Sequence, residues 1–155
     1  MMKFIPFFLF LYSINILACE CVSLSAEELS RQSDVIFTGK VITLGPLDQR
    51  KSDKNLADLS GPSVSIFQPD KVFKNPYGQI GNLENGYNEV FVIQEGANCD
   101  VFLKEGDEFL IFGKATTWGV YFTNSCMGSN SLELSSSLLL KLKKLYSSYE
   151  ETNKQ

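Results

Sequence analysis

The sequence predicts an all-β fold: a five-stranded, OB-type closed barrel with a short N-terminal helix, a C-terminal helix and two disulfides. Three observations predict it. Five runs rich in β-branched and aromatic residues are separated by turn formers and loops. Four cysteines stand in a chain that opens on an export-type segment. The 155 residues suffice for one domain with a substantial core and leave little room for a second.

The opening "MMKFIPFFLFLYSINILA" carries one positive charge, Lys3, then a mostly apolar run that closes on the small Ala18. This is the layout of a secretory signal peptide cleaved after Ala18. The run is shorter than the ~20 residues of a spanning helix and is interrupted by Asn15, so no transmembrane span is expected. Cleavage leaves 137 residues (155 minus 18) beginning at Cys19, secreted to the extracellular space or periplasm. The formal charge moves from −4 to −5 (13 minus 18) as Lys3 is lost. Mild acidity without a dense basic patch argues against nucleic acid or an anionic membrane as partner.

The chain contains no histidine. That removes Ser-His and Cys-His nucleophile pairs, histidine zinc sites and the commonest general base near neutral pH. The carboxylates fall in caps and turns such as "AEE", "KEGDE" and "YEET", which read as solvated surface. The expected protein is therefore not an enzyme and takes no cofactor.

The cysteines are Cys19, Cys21, Cys99 and Cys126. An even count in an exported chain reads as a disulfide framework. A Cys19–Cys21 bond would close a ring too tight for ordinary disulfide geometry. That leaves each of the two bonded to one of Cys99 and Cys126, in either order. Each bond closes a loop of roughly 80 to 105 residues, a contribution of up to ~4–5 kcal/mol in the chain-entropy model. A metal site is the rival reading of the C-x-C pair.

After the cysteines, "SLSAEELSRQSD" reads as a short helix, with Ser25 as N-cap and Glu28 completing a capping box. The strand runs follow: "DVIFTGKVITL" (34–44), "SVSIFQPDKVF" (63–73), "EVFVIQE" (89–95), "DEFLIFGKA" (107–115) and "WGVYFTN" (118–124). Pro69 marks an edge position or a bulge in the second. The last two runs form a hairpin around Thr116 and Thr117. Polar residues 45–62 and the Gly/Asn-rich "KNPYGQIGNLENGYN" are expected as loops. Several runs are apolar on both faces, and five antiparallel strands closing on themselves leave no exposed edge; a small sandwich is the alternative. The tail "SSSLLLKLKKLYSSYEETNKQ" predicts an amphipathic helix with Leu138, Leu142, Leu145 and Tyr149 on its apolar stripe, packed against the barrel, and a fraying end. The organisation is thus a signal segment at 1–18, a barrel at 19–134, and the helix and tail at 135–155.

Four local features, in this order, resemble the tissue inhibitors of metalloproteinases and the related netrin-like modules. The mature chain begins C-x-C. "SDVIFTGKVI" (33–42) is similar to the family's Ser-Asp followed by a strand ending in a basic residue and apolars. "CDVFLKEGDEFLIFGKA" (99–115) is similar to its cysteine, aromatic, variable turn and "EFLI-GK". "TNSCMGSNSL" (123–132) is similar to its Thr-x-Cys segment followed by Asn-Ser-Leu. Together they cover nearly the whole mature chain, and they correspond to the N-terminal inhibitory domain only.

The resemblance implies the five-stranded barrel and selects the pairing Cys19–Cys99 and Cys21–Cys126. It also implies a mechanism. A metalloproteinase zinc keeps one coordination position open, and in the family the α-amine and backbone carbonyl of the first cysteine chelate it. Carried over, Cys19 is the chelator and Glu20 the residue pointing into the substrate pocket. Cys21, Val22 and Ser23 line the cleft, with Ala97 and Asn98 beside them. An α-amine with a pKa of about 7.7–8.0 sheds its proton readily enough to bind metal near neutral pH. The implied partner is a zinc metalloproteinase or another extracellular protein.

The chain departs from the family at Glu20, where a small Thr or Ser is usual, and at Ser23, where proline is usual. A further family disulfide anchored in the first helix has no counterpart, nor has the animal inhibitors' cysteine-rich second domain. Two alternatives stand beside inhibition: a netrin-like interaction module with no inhibitory action, and a lipoprotein anchored through Cys19. For the latter "ILAC" is a marginal lipobox that Leu17 fits poorly.

Overall fold

A computed structural model of the chain describes residues 19–46, 62–83, 86–96, 99–116 and 120–152. The expected signal segment, most of the 45–62 loop, Ala97, Asn98 and residues 117–119 lie outside them.

Helix α1 (Ala26–Gln32) begins at the predicted capping box. The Glu28 N–H donates to Ser25 Oγ at 3.2 Å, and the Ser25 N–H donates to Glu28 Oε2 at 2.8 Å. At seven residues the helix is too short to stand alone; both ends are held from outside. At its C-terminal end Lys74 Nζ donates to the carbonyls of Ser30 and Ser33, placing a cation where the helix dipole favours one. The backbone and hydroxyl of Ser25 together hold the Glu28 carboxyl below its usual range. A carboxyl lowered on folding contributes stability above its unfolded pKa of about 4.3, and that contribution is lost as pH falls through the folded value. Ser25→Ala is expected to cost about 1 kcal/mol at pH 7 in urea unfolding, and Glu28→Gln to reduce the loss of stability between pH 7 and pH 3 relative to the parent.

The strands in chain order are β1 (Val35–Pro46), β2 (Ser63–Lys74), β3 (Asn82–Leu83), β4 (Gly86–Tyr87), β5 (Val90–Gln94), β6 (Glu108–Ala115), β7 (Tyr121–Phe122) and β8 (Asn130–Ser131). Five of them form a ring, β1-β2-β5-β7-β6 and back to β1. Four of the five junctions are antiparallel. The fifth, β5–β7, is parallel, with Val92 opposite Tyr121 and Ile93 opposite Phe122. An all-antiparallel ring was the expectation, and parity forbids it: strand directions can alternate all the way round only if the number of strands is even. The β6–β7 hairpin is present, closed beyond its ladder by the Thr116 N–H donating to the Val120 carbonyl at 2.9 Å. Strand β8 extends the edge of β6 that β7 also uses. The Gly/Asn-rich segment expected as a loop contains the β3–β4 hairpin, with Asn75 bonding both backbone groups of Ile80 across the preceding turn.

Pro69 sits at a bulge. The register steps from Thr38↔Lys71 to Gly39↔Pro69, so Asp70 is the extra residue. Gly39 lets the two backbones close there, because a Cβ on it would lie 2.7 Å from the Gln68 carbonyl oxygen and 3.0 Å from Pro69 Cα. Gly39→Ala has only backbone to displace, and a loss of about 1–3 kcal/mol is expected in denaturant unfolding.

Two cores explain why the strands are apolar on both faces. Inside the barrel, Val35, Phe37, Val41, Phe67, Val92, Phe109 and Ile111 pack together with Tyr121. The Phe37 and Phe67 rings meet edge-on at 5.7 Å. The alternate residues Ile36, Leu110 and Phe112 face outward onto Ala26 and Leu29 of α1 and Leu142 of helix α2 (Ser136–Thr152). Leu138, Leu142 and Tyr146 carry the contact of α2 with the barrel. Leu145, predicted on that stripe, instead lines a cleft between the helices with Ser25, Ala26, Glu27, Lys141 and Lys144, and the side chain of Tyr149 lies outside the described ones. The difference is one of phase: 138, 142 and 146 follow the i, i+4 row, and Tyr146 gains a ring contact with Phe73 at 6.0 Å and a 2.6 Å hydrogen bond with Ser30 Oγ.

Candidate functional site

The four cysteines meet at one end of the barrel. Cys19 is bonded to Cys99 and Cys21 to Cys126, with Cα separations of 5.2 and 5.0 Å; this is the pairing the resemblance implies. The residues before α1 are therefore fastened in two places one residue apart. Cys19 is half-buried between its anchors, whereas Glu20, Cys21, Val22 and Ser23 are exposed. Leu24 then turns inward against the helix-side core. The result is a short ridge, residues 19–23, standing off the barrel with both ends fixed.

Each anchor is itself held by polar contacts. On the Cys99 side, Gln94 ends β5 on its inward phase and is 5 % exposed. Its amide acts as a strand partner for the next segment: Nε2 donates to the Val101 carbonyl at 3.1 Å, and Oε1 accepts the Val101 N–H at 2.5 Å. Asp100 Oδ2 accepts the Gly96 N–H at 2.7 Å. Ala97 and Asn98, predicted beside the ridge, lie outside the described residues.

On the Cys126 side, the chain after β7 makes a 3-10 turn at Ser125–Met127, capped by Asn124, whose Oδ1 accepts the Met127 N–H at 3.0 Å. The turn ends at Gly128 with φ of 89°, a left-handed conformation that costs glycine little. Behind it, Thr123 Oγ1 lies 2.8 Å from the Phe112 carbonyl and 2.7 Å from Ser129 Oγ, which accepts the Phe112 N–H at 2.8 Å. All of these are buried. Ser125 joins the two anchors directly, its N–H and hydroxyl both donating to the Cys99 carbonyl at 2.8 and 2.7 Å.

Three residues after Cys99, Phe102 is 91 % exposed between buried Val101 and Leu103. It and Val22, 79 % exposed, are the two most exposed large apolar side chains among the described residues. The sequence reading missed Phe102, Gln94 and Asp100. Gln94 had left a signal: the inward positions of β5 are 90, 92 and 94, and a polar residue on that phase needs a buried partner. The segment 20–23 exposes one carboxylate, Glu20, and one large apolar side chain, Val22. Among the described residues, the cluster best able to hold a metal is Cys19, Cys21 and Cys126, with sulfurs all within 4.8 Å of one another, and all three are in disulfides. Among the described residues no helix is long and apolar enough to cross a membrane.

No protein-family model matches the chain, and no curated protein is significantly similar to it.

Proposed function

We propose that the chain is an exported inhibitor of zinc metalloproteinases, acting through the α-amine and carbonyl of Cys19 once the segment 1–18 has been removed. The observation that carries this reading is the double anchoring of the ridge. A backbone chelator must hold its nitrogen and oxygen at fixed positions, and two disulfides one residue apart leave residue 19 little freedom to lose on binding. The run from Glu20 to Ser23 is exposed and free of regular secondary structure, open to a partner's cleft. Val22, 79 % exposed on the same segment, adds apolar area that a partner could cover. Secretion fits the disulfides, which persist in oxidising compartments.

A second reading, a netrin-like interaction module without inhibitory action, is favoured by Glu20. Its carboxylate stands exposed between the two cysteines, and sending it into an apolar pocket costs desolvation unless a cation meets it there.

Intact mass and N-terminal analysis of the exported protein, followed by titration against a panel of zinc endopeptidases, tests both. Two disulfides, a free Cys19 amine and inhibition are expected. Glu20→Thr should tighten inhibition of an enzyme with an apolar pocket on the order of tenfold, about 1.4 kcal/mol. A lipid mass, or residues remaining before Cys19, overturns the chelating mechanism. Inhibition by neither version replaces it with the interaction module.

A further inference from the structure

We propose that the four cysteines form a second device, a thiolate site for a soft divalent or monovalent metal ion when both disulfides are reduced. The two disulfides do not merely lie near each other. Cys19 Sγ is 3.2 Å from Cys126 Sγ and 3.4 Å from Cys21 Sγ, besides being bonded to Cys99. A tetrahedral tetrathiolate site with metal–sulfur distances of about 2.3 Å has sulfur–sulfur edges of about 3.8 Å. Two non-bonded edges are therefore within about half an ångström of that value already. The bonded pairs open once their S–S bonds are cleaved, a movement that rotation about the cysteine side chains supplies.

The backbone that gathers the sulfurs does not depend on the disulfides alone. Ser125 bonds the Cys99 carbonyl twice, Gln94 holds Val101, Asn124 caps the turn containing Cys126, and Thr123 and Ser129 tie that turn to β6. Cys99 and Cys126 thus stay together after reduction, and the C-x-C segment supplies the other two ligands. Thiolates select zinc, cadmium or copper(I) over hard cations. The chain has no histidine and no cysteines beyond these four, so no imidazole or further thiolate competes.

The chemistry balances with a dithiol as the reductant. Each disulfide takes two electrons and two protons and becomes two thiols, while the dithiol becomes a disulfide. Metal binding then releases the thiol protons, up to four. The metal-bearing form belongs to the chain before its disulfides form, and oxidation expels the ion. The proposal is independent of protease inhibition, since it uses the thiols and not the amine.

The test reduces the purified full chain with a phosphine under argon and titrates it with Co2+ alone, then with Zn2+. Expected are thiolate-to-cobalt charge-transfer absorption and the d–d bands of a tetrahedral site. Both should saturate at one metal per chain, be displaced by Zn2+, and protect all four thiols from alkylation. Cys126→Ser should weaken Co2+ binding at least tenfold, in line with the loss of a ligand contact. Absence of the bands overturns the proposal. So does protection confined to Cys19 and Cys21, which marks a local C-x-C complex of an unfolded chain, as does equal Co2+ affinity in Cys126→Ser. Because alkylation is read thiol by thiol, the outcome decides even if reduction loosens the barrel.

Discussion

Replacing Cys21 and Cys126 together by serine is expected to lower stability by about 2–5 kcal/mol, a fall in Tm of roughly 7–17 °C for a domain of this size. The bond closes a loop of 105 residues, so its loss releases much unfolded-chain entropy. The folded state loses less, because Thr123, Asn124 and Ser129 still hold the turn around residue 126. Both cysteines must be replaced. A single Cys126→Ser change leaves Cys21 exposed as a free thiol, open to oxidation or to bonding a second chain. Differential scanning calorimetry of the double variant measures the effect, and a loss below about 1 kcal/mol would mean that the polar contacts alone anchor this end. The same variant should bind a target enzyme more weakly than its retained fold suggests, since residues 20–23 then pivot on one attachment.

The strands were legible where the pattern was long. The run 34–44 corresponds to Val35–Pro46, 63–73 to Ser63–Lys74, and 107–115 to Glu108–Ala115, because each carries enough alternating or continuous apolar residues to announce itself. The two-residue strands β3, β4 and β8 could not be read. Nothing local sets them; they exist because a partner or a side chain meets their backbone, as Asn75 does for Ile80 before β3. That one junction of the ring is parallel follows from the odd count of strands; that it falls at β5–β7 is set by the chain's topology.

The motif residues that carry the resemblance do structural work in this chain. In "SDVIFTGK", Ser33 caps α1 and Asp34 accepts the Ala115 N–H at 2.9 Å. In "TNSCMGSNSL", Thr123, Asn124, Ser125 and Ser129 build the seat of Cys126. Such residues report on the barrel and on how its end is held. They say little about Glu20 and Val22, side chains whose identity the fold does not constrain because solvent surrounds them. Fold was therefore far more readable than partner.

The sharpest separation of fold from function is one residue added before Cys19. An alanine extension leaves both disulfides, the Ser25 cap and both cores untouched, so unfolding should move by no more than about 0.5 kcal/mol. It converts the Cys19 α-amine into an amide nitrogen, which has no lone pair to give a metal near neutral pH, and it places a further residue where the ion would sit. Inhibition of any susceptible zinc endopeptidase should then weaken on the order of 100-fold or more, about 2.7 kcal/mol. Cys19 is already held at residue 99, so the extension cannot be accommodated by shifting the ridge along the cleft. Parent and extended proteins that inhibit equally well would exclude chelation by Cys19 and move the contact to side chains, with Glu20, Val22 and Phe102 as the first to replace.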